Sequence, residues 1–364
     1  MSLRYRRLAA TWTVSVPILA VAVLALAWGR SIPPVVVVIA ALFLASSVLA
    51  AVHHAEVIAH RVGEPFGSLI LAVAVTVIEV ALILSLTVSG GPAAASLARD
   101  TVFAAVMITC NGIAGLSLLV AALRRRVAVF NAEGTGGALA TVATLSTLSL
   151  VLPAFTTSKH GPAFSPAQLA FAAFASLALY GLFVLTQAVR HRDYFLPVEP
   201  RGRDADGRAG PPTTRAATAS LALLLTALVA VVGLAKVESP AIETAVRAAS
   251  LPQAVVGVVI ALLVLLPETL AAVRAARRAR VQVSLNLAFG SAMASIGLTI
   301  PTIAAASLWV KGPLLLGLDA THIVLLGLTI VVATLTVVPG RATVLQAGVH
   351  LTLLAAFLLL AVSP

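Results

Sequence analysis

Gly67-Ser-Leu-Ile-Leu-Ala-Val-Ala-Val-Thr76-Val-Ile-Glu79-Val-Ala-Leu-Ile-Leu-Ser-Leu-Thr-Val-Ser89 decides how the rest of the chain is read. It is an apolar run long enough to cross a hydrocarbon core of about 30 Å, which takes roughly 20 helical residues. One ionisable side chain, Glu79, sits near its middle. A charge at bilayer depth costs at least ~2.5–3.5 kcal/mol on insertion scales, so such residues usually face a cavity and mark an ion or proton path. Ten further apolar runs lie at approximately 11–28, 33–53, 100–123, 137–155, 167–190, 217–236, 251–273, 283–309, 317–338 and 342–362.

Composition agrees with those eleven spans. Of 364 residues, 60% are hydrophobic and 10% charged, against about 25% charged in soluble domains. This excludes a soluble, disordered or coiled-coil chain. The single cysteine, Cys110, excludes a disulfide scaffold. The apolar runs are continuous, whereas an outer-membrane barrel would alternate. The expected fold class is an all-α polytopic membrane protein of about 11 transmembrane helices.

The net charge of +11 would suggest nucleic acid in a soluble protein. Here its placement reads as topology, and no nucleic-acid partner is expected. With the N-terminus inside, eighteen bases fall inside: Arg4, Arg6, Arg7, Arg61, Arg124 to Arg126, six arginines from Arg190 to Arg215, Arg274, Arg277, Arg278, Arg280 and Arg341. Six fall outside: Arg30, Arg99, Lys159, Lys236, Arg247 and Lys311. The bias predicts a multi-pass membrane protein, N-terminus cytoplasmic and C-terminus outside. Arg4, Arg6, Arg7 and Ala25-Leu-Ala27 also have the outline of a signal peptide, but the run from Thr11 is long for one. We therefore read a retained span. The Pro/Gly/Arg-rich stretch Arg190 to Arg215 reads as a flexible inside linker. Its Asp204-Ala-Asp206-Gly faintly resembles a calcium loop, yet the twelfth position is Arg215 where an EF-hand needs Glu. The expected organisation is an extra N-terminal helix in 1–31, a first five-helix repeat in 32–190, a linker in 191–216 and a second repeat in 217–364.

Of the thirteen acidic residues, eleven read as loop or span-end residues. Glu79 and Glu268 lie well inside apolar runs, each in the second span of its five-span set. Thr76 shares a helical face with Glu79. Glu268 follows Pro267, which removes a backbone donor and leaves a carbonyl in the preceding turn without its helical partner. The two spans run in opposite directions, the geometry of an inverted repeat with its site at the midplane. The next span of each half carries a polar patch: Asn111 in the first, and Ser291 with Ser295 in the second. Ser284, Ser291, Ser295, Thr299 and Thr302 trace one helical stripe, a pattern that also serves helix packing.

Such a site suits a hard cation. Calcium takes six to eight oxygens, and two carboxylates neutralise it. Without the cation, buried carboxylates favour the protonated form. Exchange of a metal for protons follows, with no resident cofactor. One cysteine and no HxxxH pair in a span leave no soft-metal site. His53, His54, Glu56 and His60, with Glu64, cluster at an inside membrane edge and are candidates for proton entrance; a solvated rim is the plainer reading. His350, in the middle of the last span, reads first as a buried histidine with one hydrogen bond and second as a proton relay. Asp319 reads as a wet span end. The two arginine runs read as orientation charges and lipid-headgroup contacts. No nucleotide-binding motif points to a pump. No nucleophile–base pair points to an intramembrane enzyme. A gated cation channel is the alternative from another class.

The same residues carry a family resemblance. Val52-His-His-Ala-Glu-Val-Ile-Ala-His-Arg-Val-Gly-Glu-Pro-Phe-Gly67 with Ala74-Val-Thr-Val-Ile-Glu79-Val-Ala-Leu-Ile83 resembles the bacterial ChaA-type calcium/proton antiporters. So do Leu97-Ala-Arg-Asp-Thr-Val-Phe-Ala-Ala-Val-Met-Ile108 and Gln187-Ala-Val-Arg-His-Arg-Asp-Tyr-Phe-Leu-Pro197. In the second half, Pro267-Glu268 and Asn286-Leu-Ala-Phe-Gly-Ser-Ala-Met-Ala-Ser-Ile-Gly-Leu-Thr-Ile-Pro301 match that family's second repeat. The resemblance spans most of residues 45–305. It implies the calcium/cation antiporter superfamily fold, two inverted five-helix repeats plus an extra N-terminal helix. It also implies that Glu79 and Glu268 are the two essential repeat glutamates. Asn111, Ser291 and Ser295 fall on further polar positions of the family's repeats. Position 295 carries no carboxylate, Met107 replaces a common small polar residue, and an arginine-rich linker replaces the family's acidic loop. These departures point away from a sodium/calcium exchanger with more acidic ligands. The expected function is a secondary antiporter exporting Ca2+ in exchange for H+, with Na+ or K+ as the alternative cargo. The expected stoichiometry is one calcium for two protons. The sequence carries no sign of oligomeric state.

Overall fold

The computed structural model describes residues 3–30, 32–63, 74–85, 95–196, 212–309 and 314–363. Glu64 lies outside the described residues. Helices dominate: α1 (Leu3–Ala27), α2 (Pro34–Val62), α3 (Ala74–Ser85), α4 (Leu97–Met107), α5 (Ala114–Arg125), α6 (Ala132–Ser146), α7 (Pro166–Leu185), α8 (Thr214–Ala248), α9 (Ala254–Arg277), α10 (Val281–Ala306), α11 (Ala320–Val337) and α12 (Val344–Val362). Among the described residues, nine helices are long and apolar enough to cross a membrane, one of them the continuous run Leu97–Arg125. Thr11–Ala27 and Ala74–Ser85 are shorter apolar helices at the first and third expected positions.

α2 shows why the medium selects helix. Val35 to Val38 is a β-branched run of modest helix propensity. In lipid every backbone group must find its partner within the protein, and a helix does this locally. Pro34 opens α2 at the position where a missing N–H costs nothing. Gly63 closes it at φ 78°, its amide donating to the Ala59 carbonyl.

Contacts divide the chain into two compact units: residues 1–91 with 206–250, and residues 92–205 with 251–364. In the first unit α2 lies antiparallel to α8. His54 near the end of α2 meets Ser220 near the start of α8, and about two turns on each way Arg61 Nη2 donates to Thr214 Oγ1 at 3.0 Å. His54 Nε2 donates to the Thr13 carbonyl at 2.9 Å, which ties α1 to the same point.

The second unit is built around α10 and the α4–α5 run. Ala288, Ala292, Met293 and Ile296 of α10 are fully buried. α10 packs against α5, α6, α7 and α9. α9 approaches α4 closely because position 257 is glycine: a Cβ there would stand 2.9 Å from the backbone at Asp100 and Thr101. Two short strands, β1 (Ala128–Val129) and β2 (Arg341–Ala342), pair antiparallel with Val129 opposite Arg341. Caps appear where the chain leaves the apolar phase: Asn131 for α6, Ser165 with Gln168 for α7, and Asp319 for α11. Phe171, Phe174, Leu335 and Leu345 are exposed outer residues. On a soluble protein they would form an aggregation-prone patch, and on a membrane protein they face acyl chains.

Two expectations are corrected here. The stretch from Arg190 is not linker throughout. Arg192–Phe195 forms a 3-10 turn, and Asn286 Nδ2 donates to the Phe195 carbonyl at 2.7 Å. The aromatic pair Phe183–Phe195 anchors it further, with ring centroids 5.6 Å apart. The seventh span does not end at Lys236: α8 continues to Ala248 with Pro240 inside it. Lys-Val-Glu-Ser-Pro reads as a loop in sequence. The helix persists because Lys236 settles over the Trp28 ring, 5.2 Å from its centroid, and buried packing of Leu234, Ala235 and Ser239 holds the turn before the proline.

Candidate functional site

In the first unit, Thr76 and Glu79 are both buried on one side of α3, while Val77 between them is exposed. The spacing therefore does what it predicts, placing hydroxyl and carboxylate on a shared face. The expected histidine cluster is divided. His53, Glu56 and His60 share an exposed face of α2, at i, i+3 and i+7. His54 is buried on the opposite side, with Nδ1 accepting from Ser220 Oγ at 3.3 Å and Nε2 donating to Thr13. Adjacent helical residues point about 100° apart, so consecutive histidines cannot both face the rim.

Correcting α8 also corrects the count of deep carboxylates. Glu238 is 3% exposed and lies within the helix, not in a loop. Its Oε1 and the neighbouring Ser239 Oγ have no hydrogen-bond partner among the described residues. The proline two positions later hid it, since a Pro after an apolar run reads as a stop signal.

In the second unit, Glu268 is buried in α9 directly after Pro267. α9, α10 and the turn that carries Asn111 pack on one another in pairs. This brings Glu268, Asn111, Ser291 and Ser295 onto three mutually packed elements. Of the polar stripe on α10, Ser284, Ser295 and Thr299 are buried and Ser291 is half-buried, but Thr302 is exposed and donates to Leu298 O at 2.7 Å. The stripe ends there because Thr302, past Pro301, lies on an uncovered face, while Ile303 beside it stays buried. Ser284 is a packing residue: its Oγ meets Ser117 Oγ at 2.5 Å and the Ala272 carbonyl at 2.8 Å, joining α5, α9 and α10. Thr299 Oγ1 is buried without a partner among the described residues.

Asn111 is fully buried on a π-helical turn, Ile108–Ile113, inserted in the Leu97–Arg125 span. Such wide turns shift the side-chain register and recur at functional sites. Asn111 Nδ2 donates to Thr329 Oγ1 at 3.0 Å, and His350 Nδ1 lies 3.0 Å from Asn111 Oδ1. His350 Nε2 is 3.2 Å from Thr336 Oγ1. Asn111 Oδ1 can only accept, so Nδ1–H donates to it, while Thr336 Oγ1 lies within reach of both His350 Nε2 and the Val332 carbonyl. Gly115 permits the approach, since a Cβ at that position would come within 3.0 Å of His350 Cβ. The plain reading of His350 allowed one hydrogen bond, and the structure supplies two. An amide oxygen accepts twice, so His350 uses one lone pair of Asn111 and a second remains for another donor or a cation. Thr329 and Thr336 were invisible as partners in sequence. Their spacing of seven marks one face of α11, but threonines on apolar helices also bond their own backbone, as Thr336 does to Val332 O at 2.9 Å.

Asp100 is a further buried carboxylate that sequence reading left at a span end. It braces the start of α4, accepting from Ser96 Oγ and Arg99 Nε at 2.8 Å each, while Arg99 Nη1 donates to Gly317 O. Asp319 accepts from the His322 amide and is half exposed, as expected of a wet cap. Among the described residues, no three His, Cys, Asp or Glu side chains converge as a metal cluster.

Comparison with known proteins follows the same lines. The sodium/calcium exchanger protein family matches residues 32–189 and 219–363. The putative ionic transporter y4hA of Sinorhizobium fredii (strain NBRC 101917 / NGR234) is 45% identical over 360 residues, covering 97% of this chain and 96% of that protein. The sodium-potassium/proton antiporter ChaA of Escherichia coli (strain K12) is 34% identical over 348 residues, 94% of each. Among solved structures, the H+/Ca2+ exchanger CAX superposes with a TM-score of 0.72 at 15% identity, covering 98% of this chain and 88% of that one. Native YfkE superposes with a TM-score of 0.70 at 14% identity, covering 97% and 99%. At these identities the superpositions establish the fold. The chain therefore belongs to the sodium/calcium exchanger protein family, a membrane antiporter family of the calcium/cation antiporter superfamily.

Proposed function

We propose that this chain is a secondary antiporter of a bacterial cytoplasmic membrane that exports calcium in exchange for protons, with Glu79 and Glu268 as the groups that alternately hold proton and cation. The observation that carries this reading is the burial of each glutamate in its own apolar helix, Glu79 beside Thr76 and Glu268 after Pro267. A buried carboxylate is stable when protonated or when a cation neutralises it, and unstable when bare. Each glutamate is thus a two-state group, and alternating access converts two such groups into coupled exchange. Asn111, Ser291, Ser295 and Thr76 supply neutral oxygens or orient the carboxylates. Two carboxylates lose two protons to one divalent ion, so exchange is electroneutral, and imposed voltage leaves the reversal point unchanged.

A second reading keeps the machine and changes the cargo to sodium or potassium. The 34% identical relative, named a sodium-potassium/proton antiporter, favours it. The test is proton movement in sealed liposomes containing the purified chain, with a pH dye, a preset proton gradient and each cation added separately. Calcium-driven release supports the first reading. Release with sodium or potassium alone selects the second. Cation flux without proton movement, from folded protein, contradicts both and leaves a channel.

A further inference from the structure

Two arginine runs far apart in sequence, Arg124-Arg125-Arg126 and Arg277-Arg278-Ala279-Arg280, end two helices of the second unit. Topology alone explains their presence, since bases on inside loops orient spans. It does not explain their convergence. Arg124 Nη1 donates to the Arg277 carbonyl at 2.9 Å, which holds the ends of α5 and α9 together. Beyond each end the chain turns through a left-handed residue that is not glycine, Arg126 at φ 67° and Ala279 at φ 59°. Such conformations are uncommon for L side chains and persist where surrounding structure holds them.

Between the two turns lies a cleft of about 330 Å3. Arg124, Arg125, Arg277 and Arg278 line it, and Val129 and Val281 form part of its apolar wall. None of the described residues lining it is acidic. The two helix C-termini bring together about one negative charge, which the guanidinium groups of Arg124, Arg277 and Arg278 exceed, so the cleft is electropositive. Guanidinium forks match phosphate oxygens in pairs. The inside ends of membrane helices lie at the level of lipid phosphates, and an apolar wall beside a basic mouth suits a glycerol backbone and the first methylenes.

We propose that this cleft binds the phosphate of an anionic glycerophospholipid on the inside leaflet. The bound lipid would bridge α5 and α9, the helix that follows Asn111 and the helix that carries Glu268. The inference stands independently of which cation is transported.

The experiment uses the full chain purified in detergent. Retained adducts are counted by native mass spectrometry, and melting is followed, on titration with phosphatidylglycerol, phosphatidylcholine or inorganic phosphate. Arg124→Gln/Arg278→Gln is compared with Arg190→Gln/Arg215→Gln, which removes the same charge from exposed inside positions elsewhere. The expected result is selective retention of phosphatidylglycerol, weakened about 30-fold in the first double variant and unchanged in the second, following about fivefold per lost base near a lipid surface. If the double variant does not fold, Arg278→Gln alone is expected to weaken retention about fivefold. Equal loss in both double variants, no loss in folded Arg278→Gln, or phosphatidylcholine held as well as phosphatidylglycerol would overturn the proposal. Inorganic phosphate stabilising the chain as well as the lipid does would overturn it in favour of a soluble-anion site.

Discussion

Two buried histidines, one in each unit, bear on opposite questions. His54 in α2 ties three helices of the first unit through Ser220 and the Thr13 carbonyl. His350 in α12 ties its helix to Asn111 and Thr336. Both rings are enclosed and both use two nitrogens. They differ in what the second layer holds: His54 braces helix packing, and His350 holds the one buried amide among the candidate site residues. Sequence position suggested the reverse, since His54 belongs to a histidine-rich membrane edge and His350 stands alone in an apolar run. The difference teaches that a buried histidine is classified by its partner, and its partner is set by helix phase.

Breaking this comparison begins with the residues both histidines are measured against. Glu79→Gln and Glu268→Gln are expected to reduce cation-driven proton release to the level of protein-free vesicles, with folding checked by size-exclusion profile and melting. Next in size, His350→Ala should lower transport or apparent cation affinity about 10-fold, the effect typical of losing a residue that orients a ligand. His350→Gln, which can still donate to Asn111, should recover part of that loss, which a mere packing role would not produce. His54→Ala should do the opposite. It should lower stability by about 1–2 kcal/mol, the scale of two intramembrane hydrogen bonds, and leave transport per folded molecule within about twofold. Equal transport losses in His54→Ala and His350→Ala would dissolve the distinction.

Smaller effects sharpen it. Thr329→Val and Thr336→Val should each lower transport about threefold, matching one average intramembrane hydrogen bond. Ser284→Ala, which loses contacts to Ser117 and Ala272, should cost about 1 kcal/mol of stability and leave apparent cation affinity unchanged. Thr302→Val, at an exposed position, should alter neither quantity. A transport defect in Thr302→Val would mean that the whole α10 stripe, and not its buried part, serves the site.

The fold was legible because lipid leaves few options. Apolar runs of twenty residues have to be helices, because lipid offers their backbone groups no other partners. Glu79 and Glu268 were legible for the same reason, as charges with no water to face. Glu238 was not, because Lys236 and Pro240 around it carry the marks of a loop, and burial there depends on packing that a local pattern does not encode. Asn111 was visible as a costly amide, but the π turn that aims it was not, since one extra residue in a helical turn leaves no compositional mark. Thr329, Thr336 and His350 become a network only when α11 and α12 pack against that turn. His54 separates from the other members of the histidine cluster for a simpler reason: the pattern counted residues near a membrane edge and ignored the 100° step between neighbours.

The central claim is that each of the two glutamates gives up a proton when the cation binds. Calorimetry of the purified chain, in buffers of different ionisation enthalpy, counts protons released per cation bound. For calcium the account predicts about two protons in the parent chain and about one in either Glu→Gln variant that still binds. The same proton count in parent and variants would contradict it, placing the exchanged protons on groups other than Glu79 and Glu268.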